Sequence, residues 1–258
     1  MAEAISDRHL VAVLRPFVRA CAPVLDALRE ADPFGLRARA DQEKLDAGAK
    51  KKVLDALTSV KVPGTAAWGA MDIDQRAGWW INRVGTLTAA LTSIPGLGGA
   101  LADRLPVQDA LGAASQGLLL CAIAGEYGVT DVGSRVRLIA AVLFDRDVDP
   151  VLAGGKNADE SAEDSEAARL TEELTESERT RGKVTVRAVA GTLWRLGRSL
   201  LSLSDELEKR PRGRFYHRAL GLVPVVGAAG DYFGERSGLK VVWKRAHEWL
   251  MANSFWAR

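Results

Sequence analysis

The chain is poor in the residues that most often carry chemistry. Its 258 residues include two cysteines and three histidines. Cys21 and Cys121 stand a hundred positions apart, which is neither a disulfide framework nor a metal pattern. Both fall in apolar helical stretches and read as buried thiols of a protein kept in a reducing cytosol. His9, His217 and His247 are isolated, and none has a second histidine at ligand spacing. Strand-type alternation and Asn-Gly or Asp-Gly hairpin turns are missing. So are the phosphate-loop, nucleophile-elbow and zinc-protease signatures: Gly154-Gly155-Lys156 is followed by Asn157 and has no strand before it. Asp145, Asp147 and Asp149 alternate like the start of a calcium loop. The loop's glycine position would be Pro150 and its closing glutamate Lys156, so that reading is rejected. The sequence therefore points to no cofactor and no metal. A basic start and an apolar core, the marks of a secretory signal, are also missing from the acidic first residues. The expected location is the cytoplasm or the cytoplasmic face of a membrane.

What is present is an ordinary globular composition, with 47% hydrophobic and 26% charged residues. That balance excludes global disorder and a collagen-like repeat, and it leaves too few long apolar runs for a multi-span transporter. The apolar pattern is helical nearly everywhere. Leu10, Leu14, Phe17, Cys21, Leu25 and Leu28 form one stripe, in which Pro16 and Pro23 predict a kink or two shorter helices. Leu45, Val53, Leu54, Leu57 and Val60 mark a second helix. A third is expected over residues 73–93 with Asp72 or Asp74 as its N-cap. A fourth runs from Pro106 to Ala124 or Glu126 with Gly128 as its C-cap. A fifth covers residues 132–144, a long stripe follows from Val186 to Leu207, and a last helix covers 239–253. The fold expected is all-α, a multi-helix bundle with a central apolar hairpin containing glycine and proline. Its parts would be an N-terminal helical segment (1–70), an apolar core half (71–152), an acidic linker (153–181) and a basic C-terminal half (182–258) packing on the core.

A net charge of +2 hides a marked asymmetry. Residues 157–179 carry nine acidic side chains against two arginines, whereas residues 182–258 carry fourteen Lys and Arg against six Asp and Glu. The acidic stretch has almost no large apolar residue before Leu170. On that ground residues 153–168 are expected to be a mobile linker, opened by Gly154-Gly155.

Two uncharged runs, residues 84–102 and 110–125, have the length of membrane segments, but glycines, threonines and a mid-run proline dilute the first. A buried hairpin of a soluble core, a hairpin dipping into one leaflet and a two-span hairpin all stay open. Ile94-Pro95-Gly96-Leu97-Gly98-Gly99-Ala100 and Val223-Pro224-Val225-Val226-Gly227-Ala228-Ala229 share a pattern, and their small residues would allow close packing. Directly before the second of these segments lie Lys209, Arg210, Arg212, Arg214, Phe215, Tyr216, His217 and Arg218. Basic clusters beside apolar segments bind anionic headgroups, at about 1 kcal/mol per charge, and aromatics prefer the interface. A solvated arginine-rich loop and a phosphate contact to nucleic acid are the other readings, with nucleic acid disfavoured. The C-terminus repeats the theme: Trp243, Trp249, Phe255 and Trp256 stand near Lys240, Lys244, Arg245 and Arg258, and core packing explains most of those tryptophans equally well. Asp103, Asp109, Glu126 and Asp231 are acids in apolar surroundings. If two of them met, one would become a candidate acid–base group; otherwise each caps a helix or pairs with an arginine.

Leu105-Pro106-Val107-Gln108, then Ile123-Ala124-Gly125-Glu126-Tyr127-Gly128-Val129-Thr130-Asp131, resembles the EcsC-like proteins. So does the closing Val223-Pro224-Val225-Val226-Gly227, although Asp231 stands where that family usually has Asn. The resemblance spans roughly residues 79–250, interrupted by the acidic stretch. It implies an α-helical bacterial protein of the kind sometimes linked to membrane transporters, and it supplies no catalytic residue to carry over. Three functions follow as expectations. The first is a non-catalytic accessory protein that meets anionic lipid or a membrane protein through residues 209–218 and the last helix. The second is a helical scaffold for protein partners, with a homo-oligomer among them, and the third is an enzyme built on the buried carboxylates.

Overall fold

A computed structural model of the chain describes residues 5–30, 63, 65–92, 105–156, 158–203 and 227–253. Every element among them is helical: α1 (Asp7–Glu30), α2 (Ala66–Gly69), α3 (Ile73–Thr92), α4 (Leu105–Glu126), α5 (Val132–Phe144), α6 (Pro150–Gly154), α7 (Glu160–Arg181), α8 (Val186–Ser199), a 3-10 turn (Leu200–Leu203) and α9 (Gly227–Ala252). The fold is an all-α bundle. The second helix expected from the sequence and both Pro-Gly segments up to residue 226 lie outside the described residues, as does the basic cluster at 209–218.

The centre is α4. It packs against α1, α3, α5, α8 and α9, and its residues from Gly112 to Ala124 are all buried. A helix surrounded on all sides must be apolar on all sides, which is why this run has no polar face. No helix among the described residues is long and apolar enough to cross a membrane. Leu118, Leu119, Leu120 and Ile123 are therefore packed by other helices of the same chain.

Local signals set several helix ends. Asp72 Oδ1 accepts the Gln75 N–H at 2.8 Å and starts α3. At the end of α4, Val129 N–H reaches the Ala124 carbonyl at 2.8 Å and Gly128 N–H reaches Gly125 at 3.1 Å. This paired closure needs a left-handed residue, and Gly128 takes it with φ +75. Asp131 caps α5 through Ser134 N–H at 2.7 Å. Asp145, in the left-handed region, ends α5, and Asp149 starts α6 by accepting from Val151 and Leu152. The alternating aspartates are thus two caps with Asp147 between them.

One open sequence expectation is resolved and two need correction. First, α1 is a single helix with Pro16 and Pro23 inside it, so the alternative of two shorter helices falls. Each proline forfeits a backbone hydrogen bond and strains the turn, at about 3 kcal/mol. Leu10, Leu14, Phe17, Cys21, Val24, Leu25 and Leu28 are all buried along the same helix, and each is worth about 1.5–3 kcal/mol. Burial outweighs the prolines. Second, the acidic stretch is no linker. After Gly155, which ends α6 at φ +73, Asp159 caps a 22-residue helix. Ala167, Leu170, Thr171, Leu174 and Ser177 of that helix are buried against α1 and α8. Third, the last helix begins at Gly227, twelve residues before the expected start. Glycine lowers helix propensity, yet the segment is helical and continuous with the part of α9 that was expected.

Charge ties the N-terminal part of the acidic helix to α1. Arg15 on α1 donates through Nε and Nη2 to both carboxylate oxygens of Glu163, and through Nη1 to the Ala153 carbonyl at 2.7 Å. Arg19 donates to Glu163 at 2.9 Å and to Asp164 at 2.9 Å. The Arg15 side chain is 4% exposed and that of Glu163 is 11% exposed. A Cβ at Gly155 would lie 2.3 Å from the Arg15 guanidinium carbon, so the glycine makes room for the arginine.

Candidate functional site

Of the four acids proposed as a buried site, only Glu126 has a described side chain. Asp103 lies outside the described residues, while Asp109 and Asp231 sit on α4 and α9 with side chains that are not described. The backbone still decides one question. Asp109 and Glu126 are seventeen positions apart on one helix, hence about 25 Å apart along its axis, so they do not meet. Asp231 stands sixteen positions before His247 on α9, about 24 Å along that helix, and His247 contacts Tyr127, the residue after Glu126. Glu126 is therefore the partner of neither acid.

Glu126 instead joins α3 to α4. It accepts the Trp80 indole N–H at 3.1 Å and pairs with Arg76 at 3.4 Å. The surroundings are layered with arginine and tryptophan: Arg29 lies over Trp80 at 5.3 Å, Arg76 over Trp68 at 5.7 Å and Arg83 over Trp79 at 5.1 Å. Burial lowers the Arg83 guanidinium from its ordinary value. Trp80 is fully buried, and a carboxylate that already accepts from an indole and a guanidinium is a structural tie between helices. Among the described residues no three His, Cys, Asp or Glu side chains form a metal-binding group.

A second cluster, missed in the sequence, lies one residue on. Tyr127 Oη and His247 Nδ1 are 2.5 Å apart, and Trp243 stacks obliquely on both, at 5.3 Å from His247 and 6.5 Å from Tyr127. Burial, helped by the Asp74 carboxylate, pushes the Tyr127 phenol up, so it stays neutral and can donate to the imidazole. The available signal was the i, i+4 spacing of Trp243 and His247 on the last helix. This pair clamps α9 to the C-terminal end of α4.

With that clamp in place, α9 presents a defined outer face. Leu239, Val242, Ala246 and Leu250 point inward and are fully buried, while Lys240, Val241, Lys244, Arg245, Glu248 and Met251 are exposed. Val241 is 39% and Met251 42% exposed; they are two of only three large apolar side chains exposed among the described residues. Trp243 and Trp249 take the core-packing reading. Trp243 joins the tyrosine cluster, and Trp249 packs against the core beneath Arg137 at 5.6 Å. Phe255, Trp256 and Arg258 lie outside the described residues, as do Lys209, Arg210, Arg212, Arg214, Phe215, Tyr216 and Arg218. The acidic exposed face of α7, with Glu160, Asp164, Glu172, Glu176 and Glu178, is on another flank, because α7 packs on α1 and α8 and α9 on α3, α4 and α5.

Compared with protein-family models, with curated proteins and with solved structures, the chain matches none of them.

Proposed function

We propose that this protein is a non-catalytic, helical, membrane-peripheral accessory protein of EcsC-like type. Its contact with anionic lipid, or with a membrane protein, combines the basic segment at 209–218 with the outer face of α9. One observation carries the reading: on that face Lys240, Lys244 and Arg245 flank the exposed Val241 and Met251. Basic residues beside projecting apolar side chains form the pattern of an interfacial helix. Each charge near an anionic surface contributes about 1 kcal/mol, so the three cations less the Glu248 carboxylate on the same face contribute about 2 kcal/mol, and that attraction is screened by salt. The acidic α7 face would be repelled by the same surface, which orients the molecule. The cytoplasmic leaflet, rich in anionic lipid, is the surface that suits this charge.

The test is co-sedimentation of the full chain with phosphatidylserine-containing and with pure phosphatidylcholine vesicles, at low and high salt. Binding to the anionic vesicles alone, lost at high salt, is the expected result. Replacing Lys240, Lys244 and Arg245 together by Glu abolishes it while the helical circular dichroism is kept, and replacing Arg210, Arg212 and Arg214 does the same. Binding that survives high salt would indicate insertion of an apolar segment instead. No binding to either vesicle would refute the lipid contact and favour a scaffold for protein partners.

A further inference from the structure

Cys21 and Cys121 are far apart in the sequence but face each other in the fold. The register between α1 and α4 places them there. Phe17 of α1 lies against Gly117 of α4, where a Cβ would be 2.7 Å from the phenyl ring. One turn on along both helices stand Cys21 and Cys121, each buried, and Cys121 is near enough to act on the Cys21 thiol. Beyond them the Arg29 guanidinium lies 3.6 Å and the Arg135 guanidinium 3.8 Å from the Cβ position of Gly125. The two helices thus run in the same direction, with Phe17 beside Gly117 and Arg29 reaching the Gly125 end, and Gly117 makes room for the Phe17 ring. Both thiols are free and buried.

We propose that Cys21 and Cys121 are an oxidisable pair whose disulfide staples α1 to the central helix. With hydrogen peroxide as oxidant, one thiol is converted to a sulfenic acid and one water leaves. The second thiol then attacks that sulfur, the S–S bond forms and a second water leaves. Both sulfurs are oxidised and the peroxide is reduced. Attack on the oxidant needs a thiolate, and burial pushes the Cys21 thiol well up, although the Arg135 cation draws it partly back. In the closed bundle the pair is therefore protected. Reaction waits on α1 lifting from α4, and once formed, the uncharged disulfide suits the apolar core. The bond closes a loop of a hundred residues, a length at which a crosslink restricts the unfolded chain strongly.

The experiment uses the reduced full-length protein, treated with hydrogen peroxide under native conditions, blocked with iodoacetamide and digested for mass spectrometry. The expected product is a Cys21–Cys121 linked peptide pair in a monomer that has lost two hydrogens. Its melting temperature rises by about 10 °C and returns to the reduced value with dithiothreitol. In Cys121→Ala the Cys21 sulfenic acid has no partner and is trapped as a dimedone adduct. The proposal is overturned if the native wild-type protein keeps both thiols, forms only intermolecular disulfides, or goes to sulfinic acid without the linked pair. It is overturned equally if the link forms only after unfolding in urea. The wild-type result decides the matter even where the alanine variant does not fold.

Discussion

Replacing Glu163 by Gln removes the charge that docks α7 while keeping the side-chain size. In the native protein Arg15, 4% exposed, is neutralised by Glu163 and keeps one further bond, to the Ala153 carbonyl. In Glu163→Gln that guanidinium stays buried with an amide and a carbonyl as its partners and no counter-charge. Breaking a buried ion pair from one side costs about 3–5 kcal/mol. The amide oxygen still accepts one bond, and Arg19 keeps Asp164, so we expect the low end, about 3 kcal/mol. For a chain of this size that lowers the melting temperature by roughly 6–12 °C. The assay is urea unfolding followed by circular dichroism, with hydrogen exchange reporting on residues 167–177. The single change should shift the midpoint and speed exchange across α7. Replacing both partners, as in Arg15→Met with Glu163→Leu, should recover most of the loss, because no unpaired charge is then left inside. A Glu163→Gln protein within about 0.5 kcal/mol of the wild type would refute the view that this pair holds the acidic helix.

The same carboxylate predicts a pH dependence. Burial pushes the Glu163 carboxyl up, but hydrogen bonds and charge from Arg15 and Arg19 outweigh it and hold the group below its ordinary value of 4.5. A folded value below the unfolded one means the contribution is complete above about pH 4.5 and is lost as pH falls through the folded value. Wild-type stability should therefore drop between pH 5 and 3, at about the range where free carboxyls titrate, and the Glu163→Gln protein should show a shallower slope in thermal melts. At the α1–α4 crossing, Gly117→Ala places a Cβ 2.7 Å from Phe17 Cε1 and 2.8 Å from Cζ, against a ring that is fully buried. Alanine gains about 1 kcal/mol in helix propensity, but overpacking costs about 1–3 kcal/mol, so the change should be neutral to destabilising and Phe17→Leu should relieve it. Equal melting temperatures for Gly117→Ala with and without Phe17→Leu would contradict that contact.

Periodicity alone was enough to set the fold class and most helix positions. Helix α5 falls on the expected residues 132–144, and the Asp72 and Gly128 punctuation of α3 and α4 was readable because a cap acts on its own turn. The charge asymmetry was equally plain in the sequence, since it needs only counting. Tertiary structure decided what depends on partners distant in the chain. Glu163 looked like one acid among nine until Arg15, 148 positions away, was placed beside it. The same packing turned an expected linker into a helix and kept the two prolines inside one α1. His247 was isolated in sequence and is tied to Tyr127 in space. Glu126 had the composition of a buried acid and proves to be a tie to Trp80 and Arg76, too far along α4 from Asp109 to share a proton with it. Local interactions are written in neighbouring residues, whereas a buried charge or thiol takes its meaning from whichever group the fold brings within a few ångströms. Low internal dielectric and close packing make that one neighbour decisive.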